Sequence, residues 1–373
     1  METADGVPGR HLNRKPVTLA LQGGGSHGAF TWGVLDRLLE DTRIEIEGIS
    51  GASAGAMNAV VLAHGYTAGG RDGARRALQD FWESVAGKAQ FNSVPQDLSA
   101  QASESPKTDV AAGLESLYSL MRFFSPRQIN PLDINPLRDI LEKQINFERL
   151  RRDCRLDLFI ATTRVSTGML RLFRTRQLTL EVLLASACVP ALHRAIDIDG
   201  EAYWDGGLTA NPPIFPLVHH CAARDLILVL LQPSRRPDAP TSAGEIRRRL
   251  DEISFSAAFF TELQGVALAK REAERSAFAF GRLPRGLKNL KTHVIDSQEF
   301  MSRLSAISKL NVHAGFIHAL RDEGRKRAGI WLEEKFDLVG VRSSFSLDRF
   351  LPWRAGARSR DLPRLALTGQ NAP

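Results

Sequence analysis

Cysteine is scarce: the 373 residues hold three, Cys154, Cys188 and Cys221. They are scattered, without a C-x-x-C pair or Cys/His spacing suited to zinc, which argues against a disulfide framework and a zinc site. Long apolar runs are missing too. The clearest, Leu226 to Leu231, reads as a buried strand, since a bilayer span needs roughly 18 apolar residues or more. Met1-Glu2-Thr3-Ala4-Asp5 lacks the basic-then-apolar order of a secretory leader. No internal repeat and no strict low-complexity tract is visible. These absences set the expectation of a reducing, cytoplasmic compartment.

What is present is an ordinary globular composition, 43% hydrophobic and 24% charged, which excludes disorder as the main state. The net charge of +7 is concentrated at one end. Residues 341–373 carry Arg342, Arg349, Arg354, Arg358, Arg360 and Arg364 against Asp348 and Asp361. A local excess of this kind is weak support for nucleic acid as a partner. Peripheral contact with an anionic membrane surface is the expectation for the tail. The sequence leaves the oligomeric state unknown.

Val17 to Leu21 is a short apolar run that meets the cluster Gly23-Gly24-Gly25-Ser26-His27-Gly28 and then a helical stretch bearing Phe30, Val34, Leu35, Leu38 and Leu39 on one face. Ile44, Ile46 and Gly48-Ile49 predict a second strand, entering Gly51-Ala52-Ser53-Ala54-Gly55 and a small-residue helix. This β-loop-α-β-turn-α opening implies a central, mostly parallel sheet covered on both faces, a three-layer α/β/α fold. Further strands are expected at Leu156–Ala161, Leu170–Phe173, Ile196–Ile198 and Leu226–Leu231, and the stretch after residue 240 reads as helical. The expected organisation is a loose arm over 1–15, one α/β unit over 16–235 and a helical extension over 236–345. An inserted cap-like segment is expected over 87–135, with the apolar patch Leu114 to Phe124, and a basic tail over 346–373. A stripe of Ile246, Leu250, Ile253, Ala257, Phe260 and Ala267 predicts the core-facing side of the first C-terminal helix.

Gly51-Ala52-Ser53-Ala54-Gly55, between strand and helix, has the form of a nucleophile elbow, with Gly51 and Gly55 where larger side chains would collide. The glycine cluster suits two functions. Its backbone N–H groups fit an oxyanion hole. Gly23-x-Gly25-x-x-Gly28 also matches a dinucleotide fingerprint, with Glu45 and Glu47 near the spacing of a ribose-binding acid. A hydroxyl nucleophile needs a base. None of the nine histidines stands in a sequence context that marks it, although an order Ser53, Asp205, His293 is open. Asp205 stands in Asp205-Gly206-Gly207, followed by Asn211-Pro212-Pro213; Asp-Gly is equally a hairpin-turn dipeptide.

In that order, the glycine cluster, Gly51-Ala52-Ser53-Ala54-Gly55 and Asp205-Gly206-Gly207 together resemble the patatin-like lipid acyl hydrolases. The resemblance runs from about Val17 to Pro213, and weaker similarity continues to about residue 345. It implies a Ser–Asp dyad, with Ser53 attacking an ester carbonyl of a phospholipid or related lipid and Asp205 accepting the proton. The loop Gly23, Gly24, Gly25, Ser26, His27, Gly28 would receive the oxyanion. It implies no metal and no organic cofactor. Many members carry Arg or Lys where His27 stands, so a permanent charge is missing there; His27 serves either as a hydrogen-bond donor or as a local cap. Alternatives left open are a thioesterase or general carboxylesterase on the same dyad, and a non-catalytic dinucleotide- or lipid-binding protein.

Overall fold

A computed structural model describes residues 14–89, 128, 130, 133–233, 239–276 and 281–351. The arm as far as residue 13, the patch Leu114 to Phe124 and the tail beyond Leu351 lie outside the described residues.

The first strand, β1 (Lys15–Leu21), enters the glycine loop, which ends in a 3-10 turn, Gly25–His27, and helix α1 (Gly28–Glu40). Strand β2 (Ile44–Gly51) then leads through the serine turn into α2 (Ala54–Ala89), a helix broken at Gly69 and Gly70. After α3 (Pro136–Gln144) and α4 (Phe147–Asp153) come β3 (Asp157–Arg164), β4 (Leu170–Arg174) and the short α5 (Leu180–Ser186). A hairpin of β5 (Ile196–Ile198) and β6 (Glu201–Asp205) precedes α6 (Phe215–His220) and β7 (Asp225–Val229). The remainder is α7 (Ala243–Arg275), α8 (Arg282–Asn289), β8 (Lys291–Ile295), α9 (Gln298–Arg303) and α10 (Ala314–Glu334).

The sheet is mixed and mostly parallel. Strands β3, β2, β1, β7 and β8 run parallel, while β4 and β6 pair antiparallel with β3. Its strands are apolar because both faces are covered. One face packs against α1, α2, α5 and α10 through Val17, Phe30, Leu35, Ile49, Leu62 and Leu320. The other packs against α6, α7 and α8 through Phe159, Leu217, Leu228, Phe259, Leu263 and Leu287. This is the three-layer α/β/α architecture. The C-terminal chain supplies helices to both layers. In the first, α10 lies directly on α1, and a Cβ at Gly33 would overlap the Arg321 carbonyl.

Two details depart from the sequence reading. The core side of α7 is Phe259, Leu263, Val266 and Ala267, whereas Ile246, Leu250 and Ile253 are exposed. The helix carries apolar residues on two sides, so spacing alone selected the wrong one for its first half. The C-terminal packing also continues beyond residue 345, because Leu347 and Leu351 are buried against the second core.

Candidate active site

The strand register brings the serine turn and the Asp-Gly-Gly turn together. Phe159 and Ile160 of β3 pair with both β2 and β4, and Thr162 and Thr163 pair with both β4 and β6. Since β4 occupies one edge of β3, β2 and β6 share the other edge, end to end. Gly51, at the end of β2, pairs with Ile160, and Asp205, at the end of β6, pairs with Thr162. The two chain ends therefore meet beside Ala161, with Ser53 two residues beyond one and Asp205 closing the other.

Ser53 is buried and has a φ of 53°, a strained left-handed conformation for a non-glycine residue. The surroundings enforce it. A Cβ at Gly55 would overlap the Leu21 carbonyl, and one at Gly51 would lie 2.6 Å from the Gly55 carbonyl carbon. The Ser53 N–H donates to the Ser186 carbonyl and hydroxyl oxygens, both at 3.1 Å. The buried Asn58 joins the starts of both helices, donating to the Gly28 and Ala54 carbonyls at 3.0 Å.

Asp205 is held by its backbone. Its N–H donates to the Cys188 carbonyl at 2.9 Å, and its carbonyl accepts the Thr163 hydroxyl at 2.8 Å. Side-chain Oδ1 accepts the Gly207 N–H at 2.7 Å, and buried Oδ2 makes no hydrogen bond. Burial pushes this carboxyl up to about 7, against the opposing pull of the Gly207 N–H and the neighbouring Ser53 hydroxyl. The arrangement is a serine at a helix N-terminus beside a dry carboxylate poised near neutrality, the pairing proton abstraction requires.

The glycine loop lies directly over the elbow. A Cβ at Gly23 would come 2.6 Å from the Ala52 carbonyl and 2.8 Å from the Ser53 Cβ. Not every N–H in the loop is available. That of Gly23 donates to Asn211 Oδ1 at 2.6 Å, that of His27 to the Gly24 carbonyl at 3.2 Å, and that of Gly28 back into the 3-10 turn. Gly24, Gly25 and Ser26 stand where a helical turn begins, the place at which backbone N–H groups lack an intrahelical partner.

His27 is not a cap. Buried, it hydrogen-bonds through Nε2 to the Ser308 hydroxyl at 2.8 Å. Burial, aided by the Lys309 charge, lowers it to about 3, so it is neutral near pH 7. His293 is also not a partner for Ser53. It is buried in β8, between Asp225 at 3.0 Å and the Ser344 hydroxyl at 2.8 Å. Of the two acids in the dinucleotide reading, Glu47 is already engaged, because both its carboxylate oxygens accept backbone N–H groups of Ala222 and Ala223 at 2.6 Å.

Sequence reasoning missed the supporting residues. Buried Asn211 bridges the Asp-Gly-Gly arm to Gly23, and buried Gln22 accepts the Leu231 and Gln232 N–H groups at 2.7 and 3.0 Å. Both flank motifs already singled out, and a polar residue beside Gly-Gly-Gly or Pro-Pro was the available signal. Replacing Asn211 by Ala strands the buried Gly23 N–H and is expected to cost about 1–3 kcal/mol. Urea unfolding of the variant beside wild type checks this.

Comparison with known proteins gives this α/β/α chain a family. The family model for patatin-like phospholipase matches residues 19–218, and the chain belongs to that family. A cGAMP-activated phospholipase of Vibrio cholerae is similar, 27% identical over an alignment of 235 residues that covers 56% of this chain and 58% of that protein. The chain thus spans little more than half the length of this relative. Among solved structures, VipD from Legionella pneumophila is similar with a TM-score of 0.39 and 16% identity, covering 86% of this chain and 67% of that one.

Proposed function

We propose that this protein is a serine lipid acyl hydrolase working through Ser53 and Asp205. The observation that carries the reading is the unpartnered Oδ2 of Asp205, buried beside Ser53 and held near neutrality. Membership of the patatin-like phospholipase family supports a lipid ester as the substrate.

In the proposed sequence, Ser53 Oγ attacks the ester carbonyl carbon while Asp205 takes the hydroxyl proton. The carbonyl electron pair moves to oxygen, where the N–H groups of Gly24, Gly25 and Ser26 receive the negative charge. Collapse breaks the carbon–oxygen bond to the alcohol, which leaves with the proton returned by Asp205. Water then attacks the acyl-Ser53 ester and gives a proton to Asp205; collapse breaks the bond to Ser53 Oγ, Asp205 passes that proton to Oγ, and the fatty acid leaves with Ser53 regenerated. Chain, substrate and water supply every atom of this sequence. We place this chemistry in a catalytic unit over residues 16–235, with the remaining chain as packing and surface elements. Contact with an anionic lipid surface through the basic tail belongs to the same proposal, and among the described residues no helix is long and apolar enough to cross a membrane.

A lipid panel with products identified by mass, run beside Ser53→Ala, tests the reading. Free fatty acid and lysolipid from wild type alone are the expected result. Turnover confined to thioesters or small esters would move the assignment to a thioesterase or carboxylesterase. Lipid binding without product in wild type would mark a binding protein.

A further inference from the structure

Towards the end of the sheet away from Ser53, three side chains converge that the ester chemistry does not use. Glu47 belongs to β2, Asp157 opens β3, and Cys221 closes α6 ahead of β7. Gly48 pairs with Asp157 across the two strands. A Cβ at Gly48 would lie 2.6 Å from Cys221 Sγ, so glycine there leaves the room that the sulfur occupies. The Cys221 sulfur and one oxygen from each carboxylate all lie within 4.8 Å of one another.

Each of the three is in the state a ligand needs. Cys221 is fully buried, yet its Sγ makes no hydrogen bond among the described residues. The half-buried Asp157 carboxylate likewise accepts no hydrogen bond and joins no ion pair among them. Glu47 is oriented rather than used up. Each of its oxygens accepts one N–H, from Ala222 and Ala223, and a carboxylate oxygen has a second lone pair. Hydrogen bonds of that kind hold a ligating carboxylate in place. Burial and the two carboxylate charges push the thiol up to about 12, which argues against a reactive nucleophile or redox cysteine.

We propose that Glu47, Asp157 and Cys221 bind a divalent ion of the zinc type, which clamps β2 and β3 to the turn between α6 and β7. One thiolate and two carboxylates form a mixed donor set that suits a borderline ion over magnesium or calcium, which take oxygen ligands. Bonds of ~2.0–2.3 Å set the ligands of a tetrahedral ion about 3.5 Å apart, so the set closes by roughly an ångström. The fourth position is open to water. On binding, a sulfur–metal bond replaces the S–H bond and the proton goes to solvent. Two carboxylates and a thiolate outweigh the charge of a divalent ion, and Arg174 and Arg282, whose charges also reach the thiol, offset the remainder. The half-buried carboxylates leave the ion a path from solvent. No spacing motif marks the site, because its ligands come from three separated stretches of chain.

Titration of the full chain with Co²⁺, followed by absorption spectroscopy, tests this. The expected result is one ion per chain, with a thiolate-to-cobalt charge-transfer band in the near ultraviolet and the visible bands of a four-coordinate ion. Zn²⁺ should displace Co²⁺, and Mg²⁺ should not. Cys221→Ser is expected to abolish the charge-transfer band although Cys154 and Cys188 remain. Asp157→Asn, which keeps the thiol, is expected to weaken Co²⁺ binding about tenfold or more. Zn²⁺ at about a hundredfold over its dissociation constant should raise the Tm of wild type by about 3 °C, and that of Cys221→Ser not at all. Absence of the band in wild type, a band that survives Cys221→Ser, equal affinity in Asp157→Asn, or a wild-type Tm indifferent to Zn²⁺ would overturn the proposal.

Discussion

Replacing Asp205 by Asn is expected to lower kcat/KM for ester hydrolysis by about 10²- to 10⁴-fold, the usual contribution of a positioned general base. The substitution is close to isosteric. An amide oxygen in the place of Oδ1 keeps the Gly207 N–H bond of 2.7 Å, while the amide nitrogen in the place of Oδ2 has no lone pair for the Ser53 proton. Stability is expected to move the other way. The folded-state pKa of Asp205 is raised from 3.8 to about 7. Between those values the native chain holds a proton that the unfolded chain has released, so stability falls as pH rises through this window. Above it, the buried charge costs on the order of 4 kcal/mol. The amide of Asp205→Asn carries no such charge, so the variant gains stability relative to wild type at pH 8 and little at pH 4. Denaturant unfolding at both values, beside steady-state kinetics, reads both effects. A folded Asp205→Asn protein within tenfold of wild-type activity contradicts the dyad.

The second large effect is on the acid side of the pH profile. With the free-enzyme base at about 7, kcat/KM on a neutral, soluble ester is expected to fall about tenfold per unit below that value. The loss at pH 5 is thus roughly a hundredfold. His27 does not shape this limb, because its pKa of about 3 lies below the range. His27→Gln should keep the same midpoint. Its own effect is on stability: the unfolded chain takes up a proton that the native His27 refuses, so folding weakens as pH falls from the ordinary histidine value towards 3. A flat profile between pH 5 and 8 is incompatible with Asp205 as the base, and a limb that disappears in His27→Gln assigns it to the histidine.

The parts legible from sequence were those written in local order. The apolar run before Gly23, the small residues around Ser53 and the alternation at Ile196–Ile198 each specify a strand, turn or helix within a few residues, and the sheet follows from their succession. The pairing of Ser53 with Asp205 came from motif resemblance, because spacing says nothing about β2 and β6 meeting end to end on one edge of β3. Asn211 and Gln22 were hidden for a related reason: each acts on a backbone group distant in the chain, at separations of 188 and 209 residues. Ser308 and Lys309 carry no motif, and only the packing of the 3-10 turn Ala306–Leu310 on the glycine loop gives them a place. On α7, two apolar sides made the periodicity ambiguous, and the tertiary contact with Gly207, through Phe255, belongs to the side that spacing did not select.

The central claim is that Ser53 is a nucleophile activated by Asp205. Reaction with a fluorophosphonate, followed by intact-mass and peptide mapping of wild type and Asp205→Asn, tests it most directly. The account predicts one adduct per wild-type chain, on Ser53, formed at a rate that drops below pH 7 and is strongly reduced in Asp205→Asn. An adduct on another serine, such as Ser344 beside His293, or equal labelling of Ser53 with and without the Asp205 carboxylate, would contradict it.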